Sequence, residues 1–122
     1  MREGLPYLST HPDYNCPTET GFIPDAGAIH AFIRASAGRE PDHIIGKPNR
    51  DIMDYLVARE GVDKARTAMV GDRLYTDVAA GVNNGYTGIL VLSGEATMED
   101  VKVADVEPDL IFDSVKDMIP FL

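Results

Sequence analysis

Thr67-Ala68-Met69-Val70-Gly71-Asp72-Arg73-Leu74-Tyr75-Thr76-Asp77 is the stretch on which the reading of this chain turns. Its opening residues are small, apolar or β-branched, which is the composition of a buried strand. Gly71 then lets the backbone turn sharply, so Asp72 is expected to project from the strand tip. Asp77 falls near the start of the next helix, where a carboxylate also favours the positive end of the helix dipole. Two carboxylates brought together in this way repel unless a cation lies beside or between them. In open α/β sheets, ligands gather outside the carboxyl ends of the strands, which is where both groups would lie.

The pattern extends in both directions. Upstream, His43-Ile44-Ile45 reads as a short strand that Gly46-Lys47-Pro48 breaks, putting Lys47 at a second strand end. Asn49 is expected to cap the following helix, with Ile52, Met53, Leu56 and Val57 as its apolar stripe and Gly61 as its stop. Downstream, Val78, Ala79 and Val82 line another helix, which Asn83-Asn84-Gly85 ends. Thr87 to Leu92 forms a further buried strand, with Ser93-Gly94 as its turn. Met98, Val101 and Val103 suggest a short helix and Leu110-Ile111-Phe112 a last strand, after which Ser114 caps a closing helix. Near the N-terminus, Tyr7 to Thr10 reads as a strand end, and His11 to Pro17 as a loop on account of its prolines. Asp25 is placed to cap a helix over 26–37, with Ile29, Phe32 and Ile33 on one face and Gly38 at its end. Short apolar runs alternating with amphipathic stretches predict an α/β fold around a parallel sheet.

Composition narrows the function classes. The 122 residues suit one domain, with 44% hydrophobic and 25% charged residues, as in ordinary globular proteins. A net charge of −9 with no basic run argues against a nucleic-acid partner, because phosphate backbones require clustered Lys and Arg. No apolar run approaches membrane-spanning length, and a membrane partner is not expected. Cys16 is the only cysteine, so no internal disulfide can form, and a reducing cytoplasmic setting is expected.

The chemistry suggested by Lys47, Asp72 and Asp77 is that of a phosphate held by a cation. Mg²⁺ takes oxygen ligands, keeps several waters, and needs only one or two protein carboxylates beside a substrate phosphate. A nearby Lys neutralises phosphate oxygens as a point charge. Taken alone, Gly-Lys-Pro is most often a loop, and Gly-Asp after a strand is often a plain Asx turn. Occurring in this order, each at a strand end, they are far more specific.

Gly46-Lys47-Pro48 and Gly71-Asp72 through Asp77 resemble the third and fourth motifs of the haloacid dehalogenase superfamily of phosphohydrolases. Gly21-Phe22-Ile23-Pro24, Gly27-Ala28-Ile29, Thr76 to Gly81 and Leu90 to Gly94 extend the resemblance over nearly the whole chain. That pattern is similar to the nitrophenylphosphatase and sugar-phosphate phosphatase branch (class IIA), whose mobile cap is a small α/β domain. The resemblance implies a first-strand aspartate that forms an aspartyl-phosphate, and a second that protonates the leaving group. It gives Lys47 the role of steadying nucleophile and phosphoryl oxygens, Asp72 that of a direct Mg²⁺ ligand, and Asp77 that of a ligand or an orienter of its waters. His11-Pro12-Asp13 matches a late cap loop that is usually Asn-Pro-Asp, so His11 and Asp13 are expected at the substrate. The implied substrate is a small phosphorylated metabolite.

The sequence also departs from the family. No apolar strand leading to Asp-x-Asp-Gly precedes Lys47, and none of Asp13, Asp25 and Asp42 has a second Asp two residues on. Residues 1–41 are therefore expected to be the back of a cap, and 42–122 the second half of a Rossmann-like core with flanking helices. The chain would be a truncated form, inactive alone, with the nucleophile in a longer parent. The strand ending at Val70 would then present an unpaired apolar edge through which copies could associate into a homo-oligomer. The alternative expectation is a non-catalytic, self-associating remnant.

Overall fold

The computed structural model describes residues 4–121, which divide into two compact units, Met1–Gly46 and Lys47–Leu122. In the first unit, β1 (Leu8–Ser9) pairs in parallel with β4 (His43–Ile44), while β2 (Asn15–Thr18) and β3 (Gly21–Pro24) form an antiparallel hairpin. This hairpin occupies part of the segment that the prolines mark as loop. Pro17 sits opposite Phe22 in a ribbon of only two strands, where a missing N–H is tolerated on the outer side. The structure groups residues 42–46 with the first unit, because β4 finds its partner in β1.

Helix α1 (Ala26–Ala37) has the expected ends. Asp25 Oδ1 accepts a hydrogen bond from the Ala26 N–H at 2.8 Å, and Gly38 closes the helix in the left-handed conformation with φ 65°. Its apolar face is largely uncovered: Ile29 is 55% exposed and Phe32 72%. The strand pair is braced at its base, where Asp42 accepts the Tyr7 N–H at 2.6 Å and binds the Arg39 guanidinium at 2.9 Å. Ser9, which is buried, meets His30 Nε2, and the Tyr7 ring stands edge-on to the same imidazole.

In the second unit, α2 (Asp51–Glu60) is followed by a 3-10 turn, Lys64–Arg66, and then by β5 (Ala68–Gly71). Helix α2 starts without the expected Asn49 cap: Arg50 holds the capping position and makes no side-chain capping bond. Of its stripe only Met53 is buried. A π-turn, Leu74–Val78, runs into α3 (Ala79–Val82), so the predicted third helix begins with a wide turn. Then come β6 (Thr87–Val91), α4 (Met98–Val101), β7 (Leu110–Phe112) and a closing 3-10 helix, Val115–Phe121.

The sheet of this unit is parallel, in the order β5-β6-β7. β6 is central and reads as an apolar run because both its faces are covered. Leu90 has no exposed surface and packs with Leu74, Val78 and Ala96 to form the core. β5 is one of the two edge strands. Val70 on it is 37% exposed and Ala68 is also exposed, so an apolar edge strand faces solvent. The fold is thus α/β with a parallel sheet, as predicted, and the carboxyl ends of β5 and β6 lie side by side.

Candidate functional site

The π-turn after β5 is what aims Asp77. The Arg73 carbonyl accepts from both the Asp77 N–H at 3.0 Å and the Val78 N–H at 3.1 Å, and this doubled acceptance marks the widened turn. The Asp77 side chain is only 8% exposed, and Lys47 Nζ contacts its Oδ1 at 2.5 Å. Its Oδ2 accepts the Arg73 N–H at 3.3 Å. A carboxylate buried this far carries a large desolvation cost unless it is paired, and Lys47 supplies the pairing charge. Gly71 is needed here for space. A Cβ at that position would fall on the Asp77 side chain, while its φ is not in the left-handed region. The sequence reading attributed this glycine to a sharp turn, whereas the structure attributes it to close approach.

Asn84 anchors the segment that carries Lys47. Its Nδ2 donates to the Pro48 carbonyl at 3.3 Å and to the Ala80 carbonyl at 2.8 Å. The residue expected only to stop a helix therefore also ties that helix to the Lys47 turn.

Asp72 is held by the turn after β6. Its Oδ2 accepts the Glu95 N–H at 2.9 Å, and its carbonyl accepts the Ala96 N–H at 3.0 Å. Gly94 permits the approach, since a Cβ there would collide with the Asp72 side chain. The Glu95 carboxylate pairs with Arg73 Nε at 2.7 Å and receives the Tyr75 hydroxyl at 3.4 Å. These three side chains line one wall of a half-open cavity of about 730 Å³, whose apolar floor includes Leu74, Ala96 and Val106. The sequence reading left Arg73 without a role and missed Glu95. The available signal was the position of Ser93-Gly94 at the carboxyl end of a strand adjacent to the one that carries Asp72.

In the first unit, His11 lies between two carboxylates, with Nε2 3.3 Å from Asp25 Oδ1 and Nδ1 3.8 Å from Asp13 Oδ2. The Asp13 carbonyl accepts the Gly27 N–H at 2.8 Å, so the loop is strapped to the first turn of α1. The structure thus brings Lys47 to Asp77, Asp72 to the Gly94-Glu95 turn, and His11 to Asp13 and Asp25.

The donor chemistry fits Mg²⁺ in one respect. Asp72 and Asp77 offer only oxygen, the hydrogen bonds described for Asp72 use one of its two carboxylate oxygens, and Mg²⁺ needs few protein ligands. Among the described residues no group of three or more His, Cys, Asp or Glu side chains is disposed to hold a metal.

With this geometry in view, comparison with known proteins is decisive. The HAD-hydrolase-like family model matches residues 44–118. The chain belongs to the haloacid dehalogenase superfamily. A 4-nitrophenylphosphatase from Thermotoga maritima superposes with a TM-score of 0.92 at 51% identity, over 98% of this chain and 46% of that one. A p-nitrophenyl phosphatase from Archaeoglobus fulgidus gives 0.88 at 39% identity, over 98% of this chain and 48% of that one. Among curated proteins, an acid sugar phosphatase of Staphylococcus aureus is 40% identical over 98% of this chain and 46% of its own length. These relatives place the chain on the class IIA branch, and the chain spans about half the length of the proteins it matches.

Proposed function

We propose that this chain represents the part of a Mg²⁺-dependent phosphomonoester hydrolase that holds Lys47, Asp72 and Asp77, and that the activity belongs to a longer protein. The observation that carries the reading is the buried Asp77, paired with Lys47 and packed against Gly71, the last residue of the strand that Asp72 follows. The names of the relatives, acid sugar phosphatase and 4-nitrophenylphosphatase, support a small phosphorylated substrate. No helix among the described residues is long and apolar enough to cross a membrane.

In this proposal Asp72 binds the cation through the carboxylate oxygen that Glu95 leaves open. Asp77, fixed by Lys47, orients water around it. Bound Mg²⁺ would supply charge neutralisation for the phosphoryl oxygens. Lys47, whose side chain is 43% exposed, has its ammonium within reach of both Asp77 and an entering phosphate. It would withdraw charge from the phosphoryl group as the bond to the leaving oxygen breaks. The attacking carboxylate, which bonds to phosphorus and is later freed by water, is not supplied by any Asp-x-Asp-Gly run in these residues. His11 and Asp13 remain our candidates for contacts to the substrate, and residues 1–41 our candidate for the back of a cap.

The test is 4-nitrophenyl phosphate turnover by the purified chain of verified mass, with and without Mg²⁺. The expected result is no turnover above background. Mg²⁺-dependent turnover that Asp72→Ala abolishes would overturn the incomplete-site reading and make Asp13 the leading candidate for nucleophile. A second reading, a self-associating remnant, is favoured by the open edge of β5, with Val70 37% exposed, and a concentration-dependent mass in sedimentation would support it.

A further inference from the structure

The segment that carries Lys47 meets one continuous helical stretch at two places. At the opening of that stretch, in the π-turn Leu74–Val78, Asp77 Oδ1 receives Lys47 Nζ. Further on, just past α3, the Asn84 carboxamide donates through Nδ2 to the Ala80 carbonyl at 2.8 Å and to the Pro48 carbonyl at 3.3 Å. Both partners are carbonyls, which only accept, so the amide can face them in one way alone. The shorter bond runs to the carbonyl four residues back, which fixes the amide on its own helix and aims the second N–H at Pro48. Pro48 has no N–H, so its carbonyl is the one backbone group through which that residue can be tied.

From this we infer that Asn84 is a positioning residue for Lys47, fixing the backbone from which the ammonium reaches Asp77 and an entering phosphate. The inference rests on the proposed role of Lys47 and adds the group that sets its reach. Its physical basis is conformational freedom. A lysine ammonium stands on a flexible four-carbon stem, and holding it in one place carries a large cost in side-chain entropy. A stem whose root also moves spreads the ammonium over a wider volume, so contact with Asp77 is made less of the time. With the root tied to the helix that carries Asp77, root and target move together. Asn84 is half-buried, which partly shields both hydrogen bonds from competing water. Its backbone lies outside the left-handed region, so its conformation does not call for an asparagine, and the use of the residue lies in the two donors of its amide.

The experiment is the ¹H–¹⁵N spectrum of the lysine ammonium groups in the ¹⁵N-labelled chain, which has four lysines. Lys47→Arg assigns the Lys47 signal, and Asp77→Asn shows whether it depends on the pair. We expect a Lys47 signal whose hydrogens exchange slowly with water. That exchange should quicken about threefold in Asn84→Ala, a factor within the net contribution of one hydrogen bond. Asn84→Leu, which keeps the side chain's volume and removes its donors, should have the same effect. Lys64 is the internal control. Its Nζ bonds to the Asn84 backbone carbonyl at 3.0 Å and lies over the Tyr86 ring, so its signal reports the turn itself and should not change. An unchanged Lys47 signal in Asn84→Leu overturns the role of the donors. Equal quickening or loss at Lys47 and Lys64 makes Asn84 a general closure of the turn and overturns the positioning role as well. Either result leaves the Lys47–Asp77 pair standing. A starting chain without a slowly exchanging Lys47 signal, or with one that Asp77→Asn leaves untouched, removes the pair on which the phosphatase reading rests, and the role of Asn84 with it.

Discussion

Helix α1 in the first unit and strand β6 in the second are both apolar in sequence, and they have opposite fates. Every residue of β6 from Gly88 to Val91 is buried, and Leu90 has no exposed surface. Along α1 only Gly27 is buried, while Ile29 and Phe32 stand in solvent. The difference lies in what covers each element. β6 has a strand on either side of it and the π-turn and α3 packed against the sheet, whereas the face of α1 is left with Ile29 and Phe32 exposed and Ile33 only half-buried. An apolar stripe thus reports which side of an element is meant to be covered, and says nothing about whether the covering group is present.

The largest expected effect separates the two elements directly. Leu90→Ala should cost about 2–5 kcal/mol in urea unfolding, the range for emptying a well-packed core site. Phe32→Ala, at 72% exposure, should change stability by less than about 0.5 kcal/mol. A large loss for Phe32→Ala would mean that its face is covered in solution, and would break the comparison.

Glycines sharpen it at an intermediate level. Gly38 has φ 65° and open space around a would-be Cβ, so Gly38→Ala meets only backbone strain, about 1–2 kcal/mol. Gly71 has no left-handed φ, but a Cβ there would strike Asp77, so Gly71→Ala should cost about 1–3 kcal/mol by overpacking. The two are told apart by a second substitution. Asp77→Gly, which removes the Cβ that a side chain at Gly71 would strike first, should relieve the Gly71→Ala penalty in a double-mutant cycle and leave that of Gly38→Ala unchanged.

The smallest effect concerns acid sensitivity in the first unit. The Tyr7 N–H, and after it the Arg39 guanidinium, hold the Asp42 carboxyl below its ordinary value. A carboxylate whose pKa is depressed on folding adds stability that is present above its unfolded value, about 3.9, and lost as the pH falls through the folded one. Asp42→Asn should therefore remove a small stabilisation at neutral pH and flatten the unfolding profile below about pH 4. An unchanged profile would mean that the brace at the base of β1 and β4 adds nothing.

Much of this protein is legible along the chain. The strand before Gly71-Asp72, the parallel α/β class, the capped helix over 26–37 and the glycine stops at 38 and 61 all follow from local rules: apolar runs, capping side chains and residues that tolerate the left-handed region. The motif residues Lys47, Asp72 and Asp77 were nameable for the same reason, because Asp72 follows β5 directly, Lys47 lies three residues past β4, and Asp77 lies in the turn that opens the next helix. What local rules did not reach was anything that depends on two distant segments meeting. The hairpin at 15–24 needed its second strand to override Pro17. The start of α2 used Arg50 where Asn49 was expected, and the third helix opened as a π-turn in order to bury Asp77.

Sequence by itself determined the family and the order of the elements, and it singled out Lys47, Asp72 and Asp77 as candidates, because these are properties of short runs and their spacing. Tertiary structure alone decided that Lys47 pairs with Asp77 and that Gly71 and Gly94 are spaces kept for the two carboxylates. It also decided that Glu95, from a separate strand end, engages Arg73 beside Asp72. The contacts of Gly94 and Glu95 come from β5 and β6 lying side by side, and that of Lys47 from the segment Asn84 ties down; such meetings are set by the packing of the whole unit, which no local pattern encodes.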